Sequence, residues 1–254
     1  MTVTIGVSLK MYMGYDQTLH WCQDVAAVAA GHPLLKNGGK LFVAPSFPAV
    51  PAAREIFRAS GVAVGAQNLA EQDSGALTGE VGGPMLREAG ALYVEVGHAE
   101  RRRLFGETED VVAAKTAAAL RNGLVPVLCI GETDQVPAAE AAAECVRQLG
   151  TALRIAERKA LGGRVVVAYE PVWAIGAAQP AGDEHIATVC TALRAAMAAR
   201  PAYPDSSVIY GGSAGPGLLT RISGAVDGLF LGRFAHDPQA LKTVLDEAFQ
   251  AVNA

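Results

Sequence analysis

Short apolar runs recur at intervals along the chain, and valine, leucine, isoleucine and alanine dominate them. Because most of these runs show no polar alternation, both faces of each predicted strand should be buried, as in a parallel sheet that helices cover. Eight strands are predicted in this way, at residues 3–9, 40–44, 62–66, 91–96, 124–130, 164–169, 207–210 and 228–231.

Segments with helical periodicity lie between these strands, most clearly at residues 16–30, 108–122, 137–161, 184–199 and 238–252. Strands and helices that alternate eight times over about 250 residues are typical of a single closed (β/α)8 TIM barrel, an α/β fold. A doubly wound open sheet is the alternative. Because no linker or low-complexity stretch divides the chain, we expect one domain over residues 1–254.

Composition and charge narrow the classes of partner. Hydrophobic residues make up 51% of the chain and charged residues 18%, which suits a large core and argues against disorder. The net charge is −4 and no basic stripe is present, so we expect no nucleic acid and no membrane as a partner. The four cysteines form no C-x-x-C pair, which favours neither a zinc site nor disulfides.

The remaining sequence features predict a cytoplasmic protein that works without a cofactor. The chain enters an apolar strand at once, without the basic and cleavable segments of an export signal, and no apolar run is long enough to span a bilayer. The stretch GGSAGPG lacks the spacing of a dinucleotide-binding loop. No cluster of metal ligands is predicted either.

Polar residues suited to acid–base chemistry follow several of the predicted strands. In a closed barrel, the carboxyl ends of the strands form one rim, and active sites are built there. The residues at these ends include Lys10, Gln67, Asn68, His98, Glu100, Glu132, Glu170, Ser213, Gly232 and Arg233. An acid, a base, a cation and glycine-rich turns are therefore expected on the same rim.

The turns after the strands carry long motifs that resemble those of the triosephosphate isomerase family. GHAERR at residues 97–102 is similar to the family's GHSERR, and YEPVWAIG at residues 169–176 matches the family's motif without a change. Lys10 stands where the family has a lysine after its first strand. The resemblance runs from the first strand to the last and implies a small phosphorylated ketose or aldose as the substrate.

The resemblance also implies roles for individual residues. Glu170 would be the base that removes a carbon-bound proton, His98 the group that polarises the substrate oxygens, and Lys10 the cation that stabilises the enediolate. Contacts with the substrate are implied for Ser8, Lys10, Glu100, Gly176, Ser213, Gly232 and Arg233. A lid that closes over the site is implied for Pro171, Trp173, Ala174, Ile175, Gly176, Ala177 and Ala178.

Several positions depart from the family pattern. Ser8 replaces an asparagine and Ala99 a serine, so the pocket should be wider at the reacting end of the substrate. Ser8, Pro180-Ala181 in the lid and Gly232-Arg233 after the last strand are similar to a branch that interconverts L-erythrulose 1-phosphate and D-erythrulose 4-phosphate. We therefore favour these tetrulose phosphates as substrates. Isomerisation of dihydroxyacetone phosphate to glyceraldehyde 3-phosphate is one alternative, and a non-catalytic barrel that binds a sugar phosphate is another.

A homodimer is implied as well. In the resembling family, the loop that corresponds to the segment from Gln67 to Glu80 docks into a neighbouring subunit, where its threonine supports the strand-one asparagine and lysine. Because Ser8 replaces that asparagine, the support is expected to be weaker here.

Overall fold

The computed structural model describes residues 2–253, and their parallel strands close into a barrel. The strands are β1 (Thr4–Ser8), β2 (Lys40–Ala44), β3 (Val62–Ala66), β4 (Tyr93–Val96), β5 (Val125–Ile130), β6 (Val166–Tyr169), β7 (Ser207–Tyr210) and β8 (Gly228–Leu231). Each strand pairs in parallel with the next, and β8 pairs with β1. The predicted (β/α)8 barrel is confirmed, and the open doubly wound sheet is excluded.

Helices surround this barrel. Within the described residues they are α1 (Tyr15–Ala29), α2 (Pro33–Lys36), α3 (Val50–Phe57), α4 (Gly83–Glu88), α5 (Ala99–Phe105), α6 (Glu109–Arg121), α7 (Ala138–Arg158), α8 (Asp183–Ala198), α9 (Leu218–Ile222) and α10 (Pro238–Asn253). The long helices α1, α6, α7, α8 and α10 lie where periodicity predicted them. The other five are eight residues or shorter, too short for a clear periodic pattern.

The domain predicted over residues 1–254 includes Met1 and Ala254, which lie outside the described residues. None of the helices in the described part of the chain is long and apolar enough to cross a lipid bilayer.

The barrel interior is filled by side chains that alternate with those facing the helices. On β4, Val94 and Val96 pack into the layer between the barrel and the helices, whereas Tyr93 packs inside the barrel. The other members of this interior cluster are Phe42, Val127, Cys129, Val166, Ala168, Ile209 and Phe230. Because successive side chains of a strand point to opposite faces, Glu95 also faces the interior, one layer nearer the carboxyl ends of the strands.

Candidate active site

A cavity of about 910 Å³ opens at the carboxyl ends of the strands. It is lined by every residue for which the sequence predicts catalysis or substrate contact, namely Ser8, Lys10, His98, Glu100, Glu170, Gly176, Ser213, Gly232 and Arg233. The tip of the predicted lid, with Ile175, Ala177 and Ala178, also borders the cavity. Pro171, Trp173 and Ala174, at the start of the lid, are not part of this lining.

Glu170 directly follows β6, and its side chain is only 7% exposed. Its backbone N–H donates to the carbonyl oxygen of Ile130 at 2.8 Å, which continues the pairing of β5 with β6. Two glycines leave room for this residue. A Cβ on Gly131 would lie 2.0 Å from the Glu170 carbonyl oxygen, and a Cβ on Gly211 would lie 2.8 Å from its Cγ. A side chain at either position would displace Glu170.

His98 caps the N-terminus of α5. Its Nδ1 accepts a hydrogen bond from the backbone N–H of Glu100 at 3.2 Å. A ring nitrogen that accepts a hydrogen bond carries no proton, so the imidazole is uncharged and its proton is on Nε2. His98 Nε2 lies 3.8 Å from Oε2 of Glu170. A proton donor and a carboxylate therefore meet at one end of the cavity.

Lys10 adopts a φ of 49°, in the left-handed region that side chains other than glycine rarely occupy. Gln67 holds this turn, because its Nε2 donates to the carbonyl oxygens of Lys10 and Ala44, both at 2.9 Å. Lys10 Nζ donates to Oε1 of Glu100 at 2.7 Å. Gln67, which the sequence places on the rim, thus supports the cavity without lining it.

The pair formed by Lys10 and Glu100 keeps both charges. Burial lowers the pKa of Lys10, but the hydrogen bond and charge of Glu100, with the charge of Glu170, raise that pKa above its ordinary value. Burial raises the pKa of Glu100, but the hydrogen bond and charge of Lys10 bring it below its ordinary value. At neutral pH, a cation therefore stands close to Glu170 and His98.

Hydrogen bonds hold the lid at both ends and at its tip. Trp173 Nε1 donates to Oε1 of Glu132 at 2.8 Å, and the backbone N–H of Ala181 donates to the hydroxyl of Tyr210 at 2.9 Å. Ser213 Oγ lies 2.8 Å from the carbonyl oxygen of Ala174 and 2.9 Å from that of Ala177. These hydrogen bonds therefore hold the lid tip against the rim of the cavity, which Ile175 to Ala178 help to line.

Glu132, with Tyr169, Trp173 and His185, forms a group that we call the lid anchor. The Glu132 carboxylate is buried and accepts hydrogen bonds from the Tyr169 hydroxyl at 3.1 Å and from Trp173, while His185 Nε2 lies 3.1 Å away. Burial and the charge of Glu132 raise the pKa of Tyr169, so the hydroxyl stays a donor. Glu132 therefore holds the lid and does not line the cavity.

Glycine turns and Arg233 also border the cavity. A Cβ on Gly212, after β7, would lie 2.6 Å from the Tyr210 hydroxyl, so only glycine fits this turn. Arg233 follows β8, and its guanidinium lies 5.9 Å from the centre of the Tyr12 ring. Arg233 Nη2 also lies 3.7 Å from the place that a Cβ on Gly176 would take. The side chain of Arg233 thus reaches the lid tip.

Comparisons with known proteins identify the family of the chain. The family model described as triosephosphate isomerase matches residues 3–248. The chain belongs to the triosephosphate isomerase family. A relative from Pectobacterium atrosepticum, named L-erythrulose-1-phosphate isomerase, is 53% identical over 97% of this chain and 96% of its own length. A relative of the same name from Mesorhizobium japonicum is 38% identical over 98% of each chain.

Other members of the family carry the name triosephosphate isomerase. One from Symbiobacterium thermophilum is 36% identical over 98% of each chain. The crystal structure of the triosephosphate isomerase from Bartonella henselae matches with a TM-score of 0.80 and 26% identity, over 98% of this chain and 100% of that one. The resemblance inferred from the motifs is confirmed, and the protein is an isomerase of the triosephosphate isomerase family.

Sequence reasoning missed several side chains at this site, among them Tyr12, Arg221 and Glu95. Tyr12 and Arg221 line the cavity, and Arg221 Nε donates to Asp183 at 2.9 Å. Glu95 lies buried in the barrel interior. A signal for Glu95 was present in the sequence, because an acidic residue separates the two valines of β4, a strand otherwise predicted to be apolar.

The structure also locates the departures from the triosephosphate isomerase family pattern. Ser8 and Ala99 both line the cavity, as do His98 and Glu170. Ser8 is 3% exposed, and its hydroxyl has no hydrogen-bond partner among the described residues. The cavity wall beside His98 and Ala99 is therefore polar at Ser8.

Proposed function

We propose that this isomerase interconverts L-erythrulose 1-phosphate and D-erythrulose 4-phosphate. The names of the relatives from Pectobacterium atrosepticum and Mesorhizobium japonicum support this choice. The cavity supports it as well, because Ser8 and Ala99 leave space at the end where Glu170 and His98 meet. A four-carbon ketose phosphate carries a hydroxymethyl group on its reacting carbon, which a triose phosphate lacks.

The reaction proceeds by proton transfer through a cis-enediolate. The Glu170 carboxylate removes the proton from C3 of L-erythrulose 1-phosphate, while His98 Nε2–H donates to a substrate oxygen and Lys10 stabilises the negative charge. A proton then passes between the two oxygens, and Glu170 returns its proton to C2. The carbonyl has moved from C2 to C3, which yields D-erythrulose 4-phosphate.

One observation carries this proposal: the uncharged His98 imidazole lies 3.8 Å from the buried Glu170 carboxylate. A neutral imidazole can donate at one oxygen and afterwards take up its proton again. Burial under the lid keeps water away from the base and from the reactive enediolate. We assign Glu100 a positioning role, because its carboxylate is already bound by Lys10 at 2.7 Å.

The phosphate group would bind at the opposite end of the cavity. Backbone N–H groups in glycine turns bind anions because no side chain blocks their approach. We assign this role to Gly176, Ser213 and Gly232, with Arg233 adding a positive charge. The lid of residues 171–181 would then both contact the phosphate and exclude water.

We also propose that the protein forms a homodimer through the loop from Gln67 to Glu80. Residues 72–80 of this loop are exposed, and so are several large apolar side chains, including Met11, Met85, Leu104 and Phe105. Exposed large apolar side chains are common at interfaces between subunits. Light scattering at micromolar concentration would show a dimer, and a monomer would refute this part of the proposal.

Isotope exchange tests the reaction and its substrate. The protein would be incubated in deuterated water with L-erythrulose 1-phosphate, D-erythrulose 4-phosphate or dihydroxyacetone phosphate, and deuterium on the reacting carbons followed by NMR. We expect fast incorporation and interconversion with both tetrulose phosphates. Exchange with the triose phosphate alone would instead support the activity named for the Symbiobacterium thermophilum relative. No exchange with any of them would refute the proposed reaction.

A further inference from the structure

Three polar atoms lie unpaired at the reacting end of the cavity. Ser8 Oγ, Glu95 Oε1 and Glu170 Oε2 are all buried and have no hydrogen-bond partner among the described residues. We call these three residues the pocket floor. Ser8 and Glu170 line the cavity, whereas Glu95 lies behind them in the barrel interior. The Glu170 oxygen has a role in the proposed proton transfer, but the other two atoms do not.

Unpaired buried groups of this kind destabilise a fold. A buried polar group without a partner costs free energy, because it has lost its hydrogen bonds to water and gained none in return. A leucine at position 95 would have a similar size and would avoid that cost. Because the Ser8 hydroxyl acts on the Glu95 carboxyl and has no other partner among the described residues, the group that this pair lacks is one that a ligand can supply to Ser8.

Burial keeps Glu95 uncharged at neutral pH, although polar and charged groups surround it. They come from each neighbouring element: Ser8 at the end of β1, Lys10 after it, Cys129 on β5, Glu170 after β6 and Glu100 on α5. Burial raises the pKa of Glu95 to about 8, which the Ser8 hydroxyl and Lys10 oppose and the charges of Glu170 and Glu100 reinforce. An uncharged carboxylic acid can donate one hydrogen bond and accept another.

We propose that Ser8 and Glu95 together bind the hydroxymethyl group that distinguishes a four-carbon substrate from a triose phosphate. Glu95 donates to Ser8 Oγ, and the Ser8 hydroxyl donates to the hydroxymethyl oxygen of the substrate. The bound ligand thus completes a short hydrogen-bonded chain that is open in the free protein. This inference rests on the proposed function for the identity of the ligand, and it makes Glu95 a specificity-determining positioning residue.

Binding measurements test this inference without requiring turnover. Calorimetry in a Glu170→Gln background would compare L-erythrulose 1-phosphate with dihydroxyacetone phosphate, before and after Glu95→Leu. We expect Glu95→Leu to weaken binding of the tetrulose phosphate by about 10-fold or more and binding of the triose phosphate by less than about 3-fold. The loss of affinity on Ser8→Ala should not add to the loss on Glu95→Leu, because both substitutions break the same hydrogen-bonded chain.

Two further variants serve as controls. Glu95→Gln keeps the shape and a hydrogen-bond donor, so it should bind the tetrulose phosphate at least about 5-fold more tightly than Glu95→Leu. Tyr93→Phe removes a polar group from the same interior face of β4, where the hydroxyl accepts from Arg164 Nη1 at 2.9 Å. Because Tyr93 is farther from the cavity, Tyr93→Phe should change neither affinity.

The inference and the proposed function fail in different ways. Equal losses for both ligands on Glu95→Leu, or no loss at all, would overturn the role of Glu95. Thermal unfolding of each variant distinguishes a binding effect from misfolding, and Glu95→Leu should melt no lower than the parent. Absence of isotope exchange in the unmodified protein would instead refute the proposed reaction, while the affinity ratios would still decide the role of Glu95.

Discussion

The lid anchor and the pocket floor both contain buried acids, but the surroundings of these acids are opposite. Glu132 in the lid anchor accepts hydrogen bonds from Tyr169 and Trp173 and has His185 beside it. Glu95 in the pocket floor has an unpaired oxygen, as does Glu170. A hydrogen-bond network in which every group has a partner stabilises one arrangement of the chain. Buried groups without a partner can instead form hydrogen bonds with a ligand. Burial of an acid therefore does not by itself reveal its role, and its partners do.

The largest expected effect is at Glu170. Glu170→Asp withdraws the carboxylate by one methylene, and a misplacement of about 1 Å should slow kcat by at least about 100-fold. Substrate affinity should change little, because the phosphate end is untouched. Steady-state kinetics and calorimetry would measure the two quantities. A kcat close to that of the unmodified protein would remove Glu170 from the role of base.

Arg233 tests the opposite end of the cavity. Arg233→Met removes a charge that borders the lid tip, so KM should rise by about 10-fold while kcat changes less. Arg221→Met is the matched control, since Arg221 also lines the cavity but is engaged by Asp183 at 2.9 Å. That variant should raise KM by less than about 3-fold. If the two variants raised KM equally, Arg233 would act through the overall electrostatic potential of the cavity and not through direct contact with the phosphate.

Trp173 tests whether the lid anchor contributes to activity. Trp173→Phe removes the donor to Glu132 but keeps an aromatic ring, and loss of one hydrogen bond should lower kcat/KM by about 3- to 10-fold. Cleavage within residues 171–181 by a protease should become faster in the variant. An unchanged kcat/KM with faster cleavage would show that closure of the lid does not limit the reaction.

Glu95 offers the smallest and most specific effect, a change in stability with pH. Its pKa is about 8 in the folded protein, against an ordinary value of 4.5. The uncharged group contributes its full stabilisation below pH 4.5, the ordinary pKa. That contribution is lost as the pH rises through about 8, the pKa in the folded protein. Glu95→Gln cannot ionise, so its melting temperature should rise relative to the unmodified protein between pH 5 and 8. If the melting temperatures of the two proteins changed by the same amount over this pH range, the assignment of Glu95 as uncharged would be contradicted.

Much of the site was predictable because it depends on local sequence. Each strand end places its next residues on the same rim, so Lys10, His98 and Glu170 could be grouped from the order of strands and turns alone. The partners of Glu132 were not predictable, because His185 approaches it from a helix 53 residues later in the chain. Glu95 was missed because the direction of a side chain in a barrel depends on the strand register, which an apolar pattern does not specify.

A crystal structure of the Glu170→Gln variant with L-erythrulose 1-phosphate would test the central claim most directly. We predict that C3 lies beside the side chain at position 170, with a substrate oxygen about 3 Å from both His98 Nε2 and Lys10 Nζ. The hydroxymethyl group should contact Ser8, and the phosphate should contact Gly232 and Arg233. A ligand bound with its phosphate beside His98, or with C3 out of reach of residue 170, would contradict the account.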